Sequence, residues 1–179
     1  MDLTRLADVE LVGADGETHR LGDYWADKPV VLVFLRHFGC LLCRENAALL
    51  SERYDEITAA GAEVVAIGTG NQWYAQGFVE EEQVPYPVLV DDDALAAKAA
   101  SVKKVDPFTL IFDPRSIGGA IAAHRGGYRI HKSGKRVNQL GATFVVRPGP
   151  QVRYAHLDKH TADHAPIDEI LAALQPANA

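Results

Sequence analysis

The chain has 179 residues and a mass of 19.4 kDa, the size of one ordinary domain (residues 1–179) built around a single sizeable core. Hydrophobic residues make up 47% and charged residues 23% of it, which excludes a charge-dominated disordered chain. Eighteen Lys and Arg against 24 Asp and Glu leave a net charge of −6, no footprint for nucleic acid, and no apolar run approaches the ~20 residues of a membrane span.

Residues 9–21 alternate apolar and polar side chains on both sides of Asp15-Gly16 and predict an N-terminal hairpin. Residues 30–35, a continuous aliphatic and aromatic run, read as a central strand buried on both faces. Residues 45–60 set Ala47, Leu50, Tyr54 and Ile57 on one helical face, with Gly61 where a left-handed C-terminal residue is wanted. Residues 62–68 repeat the buried-strand pattern, so strand, helix and strand form a parallel crossover expected to be right-handed.

A helix is predicted over 71–83, opened by Asn71 as N-cap and ended by Pro85-Tyr86-Pro87. A short strand at 88–90 follows, and then Asp91-Asp92-Asp93 as caps for an alanine-rich helix over 94–100. Residues 102–140 read as an inserted helix and loop, with an apolar stretch at 117–123 and a basic patch at 125–136. Residues 143–146 and 152–155 form a second hairpin around Pro148-Gly149-Pro150, and a helix over 166–174 closes the chain. Alternating strands and helices give an α/β fold, one mixed sheet with helices on both faces.

Cys40 and Cys43 are the chain's two cysteines, too few and too close for a secreted disulfide framework. They sit in a CxxC where the central strand gives way to a helix, so unpaired amides and the helix dipole favour a thiolate on either sulfur. Arg36, His37 and Arg44 stand close enough in sequence to add positive charge. The partner cysteine, three residues away, can resolve a mixed disulfide or a sulfenic acid on the first. A half zinc site is a competing reading, completed by His156, His160 and His164, whose spacing of four puts them on one face of a helix. Inert packing of both cysteines is the third.

The stretch Val31-Leu32-Val33-Phe34-Leu35-Arg36-His37-Phe38-Gly39-Cys40-Leu41-Leu42-Cys43-Arg44-Glu45 resembles the peroxiredoxin (AhpC/TSA) family of thioredoxin-fold proteins, in its CxxC-containing branch. Gln139-Leu140-Gly141-Ala142-Thr143-Phe144-Val145-Val146, with Gly149, Tyr154, Ala155, His156 and Asp163-His164, resembles the late hairpin and tail of the same branch. The resemblance implies a thioredoxin-like fold and an antioxidant, peroxidase-like activity on peroxides or lipid endoperoxides. It implies a reductant of the thioredoxin or glutathione type, no bound cofactor and no metal. Three departures accompany it. With the peroxidatic cysteine laid on Cys43, the family's loop threonine and proline are replaced by Cys40 and Arg36. The arginine that binds peroxide falls on Gly141, and Ala142 stands where thioredoxins carry a cis-proline.

Arg36, at the end of the central strand, is therefore expected to supply the missing charge, giving Cys40, Cys43 and Arg36 as the catalytic set. Thioredoxin logic makes Cys40 the nucleophile and peroxiredoxin alignment makes it Cys43. His37 stays outside the set, and Leu41-Leu42 would give the site an apolar rim. A thioredoxin-type disulfide reductase and a noncatalytic redox-sensing or zinc module are the alternative functions. Met1-Asp2-Leu3-Thr4 begins no signal peptide, so a cytoplasmic protein is expected, with a homodimer allowed as its assembly.

Overall fold

The computed structural model describes residues 1–106, 113–131 and 138–175. Helix α1 (Leu3–Ala7) is capped by the Asp2 carboxylate, which accepts from the Arg5 N–H at 3.0 Å. The predicted hairpin follows as β1 (Glu10–Gly13) and β2 (Thr18–Arg20), turning through Gly16 at φ +89°, where a side chain would be strained. A 3₁₀ turn (Leu21–Trp25) leads into β3 (Val30–Phe34), all five of whose residues are buried.

Helices α2 (Leu41–Glu52) and α3 (Tyr54–Ala59) carry the chain to β4 (Glu63–Gly68), which pairs parallel to β3. The single helix predicted over 45–60 is thus two. It starts four residues earlier, because Cys40 takes the N-cap position without its side chain accepting a capping hydrogen bond, so no Ser, Thr or Asp marks the start. It breaks at Arg53, whose N–H is drawn to the Leu50 and Ser51 carbonyls and whose own carbonyl restarts the ladder by accepting from Glu56 and Ile57. Gly61 does close the pair at φ +79°.

Helix α4 (Gln72–Glu82) is capped by Asn71, as predicted, and precedes β5 (Val88–Val90). The Asp91 carboxylate satisfies the N–H groups of Leu95, Ala96 and Ala97 at 2.7, 3.3 and 2.8 Å, at the start of α5 (Leu95–Ala99). Within the expected insertion lies α6 (Pro114–Arg125), with Asp113 as its N-cap. Residues 132–137 of the basic patch fall outside the described residues. The second hairpin is β6 (Ala142–Arg147) and β7 (Gln151–Leu157), with a bulge at Val145/Val146, and α7 (Ile167–Leu174) follows.

The seven strands form one mixed sheet in the order β2-β1-β5-β4-β3-β6-β7. β3 lies inside it, parallel to β4 and antiparallel to β6. Its continuous apolar run follows from the two-residue period of a strand between two helical layers. Val31 and Val33, with Leu35 just beyond, face a core built with α2, α4 and α7. Val30, Leu32 and Phe34 face a second core with α1, α5 and Trp25. This is the expected thioredoxin-like α/β architecture, and it delivers the chain from the middle of the sheet to the start of α2.

Candidate redox site

Between β3 and α2 the chain makes a tight loop fastened to the end of β4. The Phe38 N–H donates to the Thr69 carbonyl (3.4 Å) and the Thr69 hydroxyl to the Arg36 carbonyl (2.8 Å). The Phe38 ring lies over Gly68 and Gly70, where added Cβ atoms would meet it at 2.5 and 3.0 Å. Bare backbone at these two positions is what lets the loop settle against the sheet. The Cys40 N–H then donates to the His37 carbonyl at 3.0 Å, and α2 begins.

Cys40 caps the helix and Cys43 lies on its first turn; both are free thiols and both are buried. Arg36 touches both. Its backbone N–H donates to Cys43 Sγ (3.3 Å) and its guanidinium Nη1 to Cys40 Sγ (3.5 Å), while Nε donates to the Gln139 carbonyl at 3.2 Å. Gln139, 2% exposed, is held in turn by its side-chain amide on the Leu35 carbonyl (3.4 Å). The three residues expected from sequence are therefore brought together, with Gln139 as the clamp behind them.

The two sulfurs are not equivalent. The Cys43 thiol, donating to Cys40 Sγ, holds the Cys40 thiol well below its ordinary range; burial opposes this, and the Arg36 guanidinium reinforces it. Burial pushes Cys43 well up, and its role as donor to Cys40 pushes the same way. A dipole alone would favour a thiolate on either sulfur; the buried pair shares one charge, and it falls on Cys40. Cys40 also lines an open groove of about 330 Å³ that Cys43 does not reach, with Leu41 and Leu42 on one wall and Ile117 and Ala120 of α6 on the other.

Arg44, expected to add charge to the sulfurs, does not. It is 4% exposed, paired with Glu81 (2.7 Å) and Glu82 (2.6 Å), bonded to the Phe38 carbonyl (3.1 Å) and placed over the Phe78 ring. Its charge ties α2 to α4 instead.

Gly141 leaves no room for an arginine: a Cβ there would meet Asp158 Oδ2 at 2.3 Å and the Phe34 carbonyl at 3.0 Å. Ala142 pairs with Phe34 in β6. The helix that would align the late histidines is not formed. His156 ends in β7, His160 sits in a turn and His164 in the irregular segment before α7. His156 and His164 flank the buried Asp158 at 3.7 and 3.6 Å, and among the described residues no group of three or more His, Cys, Asp or Glu is arranged to hold a metal.

Sequence reasoning did not find Thr69, Gln139 or the Phe38 seat. Thr69 and the glycines carry no local signal, because their role exists only once β3 and β4 pair. Gln139 opens the stretch Gln139-Leu140-Gly141-Ala142, in which no neighbouring residue marks it as a clamp on Arg36.

A mixed sheet with a CxxC at the helix that follows its central strand, and a guanidinium on the first sulfur, defines a dithiol protein of the thioredoxin fold. More narrowly, the chain belongs to the AhpC/TSA family, whose model matches residues 4–155. It is 31% identical over 177 residues to the "Thioredoxin-like protein AAED1, chloroplastic" of Arabidopsis thaliana, covering 92% of this chain and 69% of that one. It is 29% identical over 173 residues to a "Prostamide/prostaglandin F synthase" of Salmo salar, covering 92% and 83%. Among solved structures, the peroxidoxin BcpB of Mycobacterium tuberculosis superposes with a TM-score of 0.70 at 24% identity, over 94% of this chain and 92% of that one.

Proposed function

We propose that this protein is a thiol-dependent reductase of peroxides or endoperoxides, with Cys40 as nucleophile, Cys43 as resolving thiol and Arg36 as the charge that steadies both. One observation carries the reading: Cys40, whose Sγ accepts from the Arg36 guanidinium, lines the groove, while Cys43 does not and keeps its proton through burial. A thiolate open to substrate attacks an oxygen and becomes a sulfenate. A neighbouring neutral thiol then displaces that oxygen and closes an intramolecular disulfide, which a thioredoxin- or glutathione-type thiol reopens. Arg36 stabilises negative charge on sulfur and on the departing oxygen from the strand side, the part that Gly141 cannot play. The apolar groove walls suit an organic peroxide, and the relatives include a prostamide/prostaglandin F synthase, in keeping with the lipid endoperoxides that the sequence resemblance implies. A thiol reductant implies a reducing compartment, which agrees with the cytoplasmic location expected from the sequence.

The test mixes reduced protein with hydrogen peroxide, cumene hydroperoxide and a model protein disulfide, following thiol loss by rapid quench and intact mass. Fast loss with a peroxide is expected, giving an intramolecular disulfide in the wild type. Cys43→Ser should trap one added oxygen on Cys40, and Cys40→Ser should be inert. Trapping on Cys43 in the Cys40→Ser protein would reverse the two roles. Rapid exchange with the disulfide alone would make the protein a thioredoxin-type reductase.

A further inference from the structure

His37 is left unused by that reading, and its surroundings are unusual for a packed histidine. It stands in the loop between β3 and α2, its carbonyl accepts the Cys40 N–H at 3.0 Å, and the residue lines the same groove as Cys40. The side chain is 8% exposed, yet Nδ1 is buried with no hydrogen-bond partner among the described residues. A buried polar nitrogen without a partner is costly unless something else occupies the space in front of it. Nδ1 itself is closed off from solvent, so whatever reaches the imidazole from the groove that His37 and Cys40 line together reaches it at its other edge.

We propose that His37 is the proton carrier of this site, accepting the O–H proton of a bound hydroperoxide and returning it to the departing oxygen. The inference rests on the peroxide-reductase reading above. Cys40 Sγ attacks the distal oxygen, the S–O bond forms and the O–O bond breaks. Sulfur is oxidised by two electrons and the peroxide is reduced by two. The electron pair of the O–O bond leaves on the proximal oxygen, which takes the substrate's own proton by way of the imidazole. The products are an alcohol and a Cys40 sulfenate, with one negative charge before and one after. Cys43 then attacks the sulfenate sulfur, forming the disulfide and releasing hydroxide.

Other groups in the groove are poorly suited to this task. A guanidinium does not give up its proton in a protein, so Arg36 stabilises charge without carrying a proton. The Cys43 thiol is committed to Cys40 Sγ and lies outside the groove. Ser116 and Thr161 also line the groove, but an alcohol hydroxyl is too weak an acid and too weak a base to take up and return a proton near neutral pH. Burial pushes the His37 pKa down, and a neutral ring keeps one nitrogen to accept and one to donate, as a carrier requires.

The test compares cumene hydroperoxide, which must expel an alkoxide, with peroxyacetic acid, which expels an acetate that needs no proton. Single-turnover rates are measured on wild type, His37→Gln and His37→Asn, each divided by the rate at which iodoacetamide alkylates its Cys40. The variants should lose about 100-fold with cumene hydroperoxide and less than about threefold with peroxyacetic acid. An equal loss with both peroxides, or none with either, would overturn the proposal and leave His37 a packing residue. If the variants do not fold, the wild type decides: its rate should depend only weakly on the acidity of the leaving alcohol across substituted hydroperoxides, and a steep dependence overturns it. A wild type inert to every peroxide removes the reductase reading as well; a reactive wild type with unchanged variants removes only the proton carrier.

Discussion

At the scale of single residues, the acidity of Cys40 is governed by a neighbour of its own kind. The donated Cys43 thiol comes first and the Arg36 guanidinium second, against the opposing effect of burial. Both favourable partners stabilise the thiolate, so removing either raises the Cys40 pKa and moves the pH midpoint of its alkylation upward. Cys43→Ala should raise that midpoint more than Arg36→Ala does. Cys43→Ser keeps a hydroxyl donor in the same place and should leave the midpoint within about half a unit of the wild type. Alkylation by iodoacetamide between pH 4 and 10, read by intact mass, checks all three; a Cys43→Ala midpoint equal to that of wild type would show that the pair is not hydrogen-bonded. The asymmetry was not legible in the sequence, where both cysteines lie near a helix N-terminus and near the same cations. It arises because Arg44 is taken up by Glu81 and Glu82, and because Cys40 lines the groove and Cys43 does not.

Elements were more legible than their ends. The strands at 30–34, 63–68 and 88–90 follow from uninterrupted apolar runs, and α4 from Asn71 as its cap and Pro85-Tyr86-Pro87 as its stop. The start of α2 was missed because a cysteine occupies the cap, and the break at Arg53 because residues 43, 47, 50, 54 and 57 keep a helical period across it. The helix imagined under the three late histidines failed for the opposite reason: a spacing of four was present, but the apolar stripe that buries a helix was not. Asp91 was legible as a cap, and its consequence can be measured. It is 2% exposed and accepts from three amides at the head of α5. Asp91→Ala leaves those amides unpaired and should destabilise the fold by about 2 kcal/mol. Urea unfolding gives the value, and the Cys40 alkylation rate at neutral pH should stay unchanged, since α5 lies on the face of the sheet opposite α2.

On the scale of the whole molecule, one buried carboxylate links pH to stability. Asp158 follows the end of β7, packs against Gly141 and is flanked by two histidines, and burial raises its pKa above the ordinary value. As pH rises past the unfolded carboxyl value of about 3.9, the unfolded chain releases this proton first while the native state retains it. The native state then binds more protons than the unfolded one, so Asp158 lowers stability progressively until the pH passes its folded pKa. The difference in urea midpoint between wild type and Asp158→Asn should therefore move against the wild type across that window and level off above it. A difference that is flat from pH 3 to 7 would place the carboxyl at its ordinary value.

The contact between Arg36 Nε and the Gln139 carbonyl joins residues 103 positions apart, and this separation gives the site a history in time. Gln139 lies just ahead of β6, the antiparallel neighbour of β3, so the clamp closes only when a strand from late in the chain docks beside one from early in it. Such long-range pairing is slow compared with local helix formation. A growing or refolding chain therefore forms its CxxC turn well before the guanidinium is fixed over Cys40, and in that interval the cysteine lacks part of the charge that makes it reactive. Activation by Arg36 becomes one of the last events of folding. Pulsed alkylation during refolding should show the enhanced reactivity of Cys40 emerging together with protection of the β6 amides rather than with the appearance of helix.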